Sequence, residues 1–134
     1  MRLISLVSFA FIFACDSDKG VTAFNSEPKA SITSHSDGDT VLEGYITTFR
    51  GSASDANHSY EDLTATWFVG TEVLCEGVTP ESDGSVECEG VLLPTDTEVT
   101  LEVKDSGNAT GSASVNLTIT PTDAPEALIL TPES

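Results

Sequence analysis

Three aspartates stand where runs of alternating residues end or begin: Asp55 in "SASDAN", Asp62 in "YEDLT" and Asp105 in "VKDSGN". Glu61 and Asn108 lie beside the last two. Carboxylates gathered at one point supply the oxygen cage that Ca²⁺ takes, and without a cation they would repel one another. The same residues also end strands and make turns, because Asp and Asn side chains bond neighbouring backbone. That second reading needs no metal. Both histidines, His35 and His58, fall in expected loops. Ser59 follows His58, but no strand–turn–helix context surrounds them of the kind a nucleophile and its base require. Paired carboxylates serve glycoside hydrolysis, yet among 22 acidic residues adjacency carries no information. The sequence has no Gly-rich phosphate loop and no CxxC pair. No residue can be given a catalytic role, and the chain reads as a non-enzyme.

The elements that must position these residues begin with the charge and the cysteines. The formal charge is −17, with 22 acidic residues against 5 basic ones. Such a surface repels phosphate backbones and offers no basic stripe, so nucleic acid is not an expected partner. It favours solubility and suits divalent cations. An apolar fraction of 39% argues against a disordered chain.

At the start, Leu3 to Ala14 form an apolar stretch behind Arg2. A membrane-spanning helix needs about 20 such residues, so this run is too short to cross and stay. It matches the apolar part of an export signal. "IFAC" (residues 12–15) resembles the bacterial lipobox, whose cysteine is acylated and becomes the new N-terminus. Ala14 and Ile12 fit that pattern and Phe13 is bulkier than it prefers. The resemblance implies a signal peptide at 1–14, lipid on Cys15 and a membrane partner through that lipid; an ordinary signal cut nearby would leave Cys15 a spare thiol. Two or more acyl chains give stable anchoring. The expected location is the cell envelope, facing the periplasm or the extracellular space. Cys75 and Cys88 remain, and two cysteines in an exported chain read as one disulfide. Neither histidine lies at zinc-ligand spacing from them.

Residues 15–27 are polar and aperiodic, a flexible tether. From Pro28 short alternating runs are broken by turn signals, which predicts an all-β sandwich of about seven strands over 28–122. The first is "ASIT" (30–33). "YITTFRGSAS" (45–54) places Tyr45, Thr47, Phe49, Gly51 and Ala53 on one face, and "LTATWFVG" (63–70) points Leu63, Ala65, Trp67 and Val69 inward. Val99, Leu101 and Val103 alternate in "EVTLEVKD", as do Ala113, Val115, Leu117 and Ile119 in "SASVNLTIT". Trp67 and Phe49 are the expected aromatic core, and the Cys75–Cys88 bridge is expected to staple an edge and not to join the two central sheets. In such a sandwich Asp55, Asp62 and Asp105 reach one end, where the tether also arrives.

The words "TTFRGSASD", "EDLTATWFVG", "DGSVEC", "TEVTLEVKDSGNATGSASVNLTI" and "APEALILTP" together resemble the PKD-like and related immunoglobulin-like repeats of microbial surface proteins. The resemblance implies an antiparallel β-sandwich acting as a spacer, an adhesive unit or a binding module. The partner would be a surface protein or a glycan, with Tyr60 and Phe68 as the aromatic candidates. An accessory role within a longer surface enzyme fits as well. Residues 123–134 read as a linker and the truncated start of a second repeat, since Pro125, Ala127 and Ile129 echo Pro28, Ala30 and Ile32 at one offset; a plain tail with a chance match is the competing reading. Asn57, Asn108 and Asn116 begin Asn-x-Ser/Thr triplets, which a Thr- and Ser-rich β protein produces by chance.

Overall fold

Period-two alternation becomes strand structure throughout the computed structural model, which describes residues 24–123. β1 (Lys29–Ile32), β3 (Ile46–Ser54) and β6 (Ser85–Val91) form one sheet in the order β1-β3-β6. β5 (Glu72–Val78), β4 (Thr64–Val69), β7 (Glu98–Lys104) and β8 (Thr110–Asn116) form the second, in that order. Every pairing within these two sheets is antiparallel. Seven strands thus build the two layers. Two more, β2 (Thr40–Leu42) and β9 (Thr118–Thr120), make a small parallel pair that the alternation did not announce. The run "SASVNLTIT" is not one strand: Asp37 Oδ1 accepts the Asn116 N–H, the Thr97 carbonyl accepts the Leu117 N–H, and the chain leaves β7 to pair with β2.

The inner faces share one core. Leu63, Ala65, Trp67 and Val69 are buried, as are Phe49 and Ala53 opposite them and Val99, Leu101 and Val103 beside them. Tyr45 is the exception to the expected inward face, being 60% exposed. A turn at Gly44, with φ at 75°, precedes it, and the ladder starts only at Ile46 opposite Val91. The Trp67 and Phe49 rings lie with centroids 6.0 Å apart. Gly51 makes room for them: a Cβ there would come within 2.6 Å of Leu101 Cδ2 and 3.3 Å of the Trp67 ring. Cys75 stands opposite Trp67 and Cys88 opposite Phe49. Their disulfide spans a Cα–Cα distance of 6.1 Å. The bridge does lie at an edge, but β5 and β6 are outer strands of different sheets, so it clamps the two layers together.

The registers define two ends. At the leading end Lys29 faces Ser54 and Thr64 faces Lys104, and residues 25–28 arrive there. At the trailing end Ile46 faces Val91 and Val69 faces Glu72. Residues 121–123 leave from it, because Glu43 N–H donates to the Thr120 carbonyl.

Candidate functional site at the leading end

Asp55 follows the last residue of β3, and the chain at once folds back over it. Its Oδ1 accepts the N–H groups of Asn57 at 2.8 Å and His58 at 2.9 Å, an Asp-seeded turn of the kind short acidic side chains favour. Asp105 follows β7 in the same way. Its Oδ1 accepts the Ala109 N–H at 2.9 Å, while Asn108 takes a positive φ of 70° that Asn tolerates. The two turns therefore present their carboxylates from strands of the two facing sheets, at one end of the sandwich.

The arriving chain closes the gap between them. Asn25 Nδ2 donates to Asp105 Oδ2 at 2.9 Å, Asn57 Nδ2 donates to Asn25 Oδ1 at 2.9 Å, and Ser26 N–H donates to Asn57 Oδ1. Two glycines let the segment approach. A Cβ on Gly107 would sit 2.5 Å from Asn25 Nδ2, and one on Gly111 would overlap the Pro28 carbonyl oxygen. The tether read from sequence as running to residue 27 is thus bonded to the body from Asn25 onward.

His58 completes the cluster. Its Nδ1 lies 3.2 Å from Asp55 Oδ1 and 3.7 Å from Asp105 Oδ2. An ionised carboxylate only accepts, so the Nδ1 tautomer that faces Asp55 carries the proton. The side chains of both aspartates are fully buried, and that of His58 is 18% exposed. The Asn57 N–H, with further help from His58, holds the Asp55 carboxyl below the usual carboxylate range despite its burial. Asp55 Oδ2 is buried and has no hydrogen-bond partner. A buried carboxylate oxygen without a donor is costly, and it is the one unsatisfied demand in the cluster. Asp55, His58 and Asp105 each place a side-chain N or O atom within 4.8 Å of the others, and with the proton on His58 Nδ1 it is the two carboxylates that offer oxygens. Oxygens of this kind suit a hard cation such as Ca²⁺.

Of the three aspartates read from sequence, the structure brings together Asp55 and Asp105 and leaves Asp62 out. Asp62 sits exposed in a 3-10 turn (Tyr60–Asp62), where its Oδ2 accepts the Ser59 hydroxyl at 2.6 Å. That turn carries Asp62 away from the cluster, and His58 takes the third place. Asn25, Asn57 and His58 escaped sequence reasoning. The one local signal was an Asn shortly before the Pro that opens the first strand. His35 is no ligand: its Nδ1 is 2.7 Å from Ser34 Oγ and its ring packs 5.0 Å from Phe49. Cys15, the residues 1–14 and the segment 124–134 lie outside the described residues.

No family model matches the chain, and no curated protein does. Solved structures do. Fibronectin(III)-like modules of CbhA from Clostridium thermocellum superpose with a TM-score of 0.58 at 14% identity, over 78% of this chain and 53% of theirs, so the chain spans about half the length of that structure. The PKD domain of a peptidase from a Thermoplasmatales archaeon superposes with a TM-score of 0.52 at 19% identity, over 71% of this chain and 99% of that domain. The likeness is one of fold. The chain is an all-β, immunoglobulin-like and PKD-like antiparallel sandwich.

Proposed function

We propose that the chain is a non-catalytic cell-envelope lipoprotein, fastened by lipid at Cys15, whose sandwich serves as a structural spacer or adhesive interaction module. The observation that carries this reading is the path of the backbone. It arrives at the leading end, held by Asn25 between the Asp55 and Asp105 turns, and leaves at the opposite end past Glu43. A body placed in series in this way sets a distance between the segments on either side of it. The lipobox-like "IFAC" and the inter-sheet disulfide support a location outside the reducing cytoplasm. Fractionation of cells producing the native chain and Cys15→Ser tests it. The native chain partitions with membranes and the variant is released; a variant that stays membrane-bound, or a native chain in the cytosol, refutes the anchoring.

A second reading concerns the cluster itself and is favoured by Asp55 Oδ2, which has no donor. Ca²⁺ bound by the carboxylates of Asp55 and Asp105 would satisfy that oxygen and stiffen the joint between tether and body. Melting curves with Ca²⁺ and with chelator decide it: a raised midpoint in Ca²⁺ that Asp55→Asn abolishes supports the site, and coincident curves end it. Recognition of a glycan would fall to Tyr60, which lines a shallow hollow with Pro80 and Ser82, because Phe68 is half-buried. Saturable glycan binding lost in Tyr60→Ala is the result that reading requires.

A further inference from the structure

The exposed apolar residues are unevenly placed. Leu42, Tyr45, Ile46, Val73, Val91 and Leu93 are between 47% and 72% exposed, and all six stand at the trailing end. They form a band across it. Leu42, Tyr45 and Ile46 line one shallow hollow, Val73, Val91 and Leu93 line another, and Ile46 faces Val91 across the β3–β6 ladder to join the two. Scattered surface apolar residues need no explanation, whereas a contiguous patch at one end of an acidic domain marks an interaction site.

The chain departs beside this band. β9 pairs with β2 as far as Leu42 opposite Thr120, and Thr122 Oγ1 donates to the Glu43 carbonyl. The sequence then repeats the word with which this sandwich begins: Pro125, Ala127 and Ile129 stand to one another as Pro28, Ala30 and Ile32 do. Pro28 is buried at the leading end, and Ala30 and Ile32 pack against the core. Only residues 121–124 separate the end of β9 from Pro125. The five steps from Thr120 to Pro125 reach at most about 18 Å. A sandwich begun by this word is therefore held with its leading end close to the band. The leading end of the present module is suited to such a contact, since Tyr60, which the second copy would keep, is exposed there.

From this placement we infer that the trailing-end band is a docking face for the leading end of a second copy of this module, joined head to tail through residues 121–134. The inference extends the in-series reading, and it stands or falls independently of the lipid. Burial of the six side chains makes two consecutive modules one stiff unit and not two beads on a string.

The test lengthens the full chain at Ser134 with residues 38–123, so that the repeated word opens a complete second module. Amide relaxation by NMR then reports whether both modules tumble together. A common correlation time is expected in the parent. It is lost in Ile46→Ser with Leu93→Ser, two exposed substitutions whose folding the Trp67 near-ultraviolet signal checks, and lost also when six Gly-Ser residues are inserted after Asp123. Independent tumbling in the parent overturns the inference. So does common tumbling that survives both changes, a second module with random-coil shifts, or nuclear Overhauser contacts in the unextended chain showing Ile129 lying on Ile46.

Discussion

Replacing Asp105 with Ala removes one link between the arriving chain and the body, and its cost can be worked out. The carboxylate accepts two hydrogen bonds, from Ala109 N–H and from the Asn25 amide, each at 2.9 Å. Its side chain is fully buried, so water cannot replace what is lost. Hydrogen bonds to charged groups contribute about 1.5–3 kcal/mol each. Taking the lower figure for both gives about 3 kcal/mol, and the lost repulsion from Asp55 trims this somewhat. For a domain of this size 1 kcal/mol moves the midpoint by about 4–8 °C, so Asp105→Ala should melt about 12–24 °C lower. Asn25→Ala removes one of the two bonds to Asp105, together with the exposed bond from Asn57, and leaves the Ala109 contact, so its drop should be roughly half as large. Thermal melts followed by the near-ultraviolet signal of the single tryptophan measure both. Hydrogen exchange at Ser26, whose N–H is held by Asn57 Oδ1, should quicken in both variants. If Asp105→Ala melts within about 5 °C of the parent, about 1 kcal/mol on the same scale, the cluster is not a joint and the reasoning is wrong.

Three further outcomes rest on the same geometry. Cys75→Ala with Cys88→Ala opens a loop with a separation of 13 residues, which costs about 3 kcal/mol in the chain-entropy model; a denaturation midpoint unchanged by reduction would contradict the clamp between the layers. Gly111→Ala drives a Cβ into the Pro28 carbonyl and should cost about 1–3 kcal/mol, with faster exchange along the arriving segment; unchanged stability and exchange would mean that segment does not press on β8. Because the Asp55 carboxyl titrates below its ordinary 3.8 in the folded chain, it adds stability above that pH. The contribution fades as pH falls through the lowered value. The gap in melting temperature between the parent and Asp55→Asn should therefore be full at pH 5 and shrink toward pH 2; a constant gap would show that the charge is not what the site uses.

Much of the fold could be read from spacing because each central strand alternates cleanly. Leu63, Ala65, Trp67 and Val69 declare a strand with one buried face, and Val99, Leu101 and Val103 declare its neighbour. β2 stayed hidden because three residues are too few for a period to emerge. The break at Leu117 stayed hidden for a different reason: its alternation continues unbroken, and the change of partner is set by Asp37 and Thr97, far away in sequence. The candidate site was half legible. Asp55 and Asp105 could be placed because each ends a strand that alternation defines, and strand ends meet at one end of a sandwich. Asp62 misled, since it sits on a local turn with its own partner in Ser59. Asn25 could not be found from sequence, because its two partners lie 32 and 80 residues away.

The most direct test of the central claim is the intact mass of the mature protein from membranes of cells that produce it. A chain starting at Cys15, heavier by two or more acyl groups and lighter by the two hydrogens of the Cys75–Cys88 bond, is the predicted result. A chain that begins elsewhere, with Cys15 removed or carrying no lipid, would contradict the account of an envelope spacer fastened at that residue.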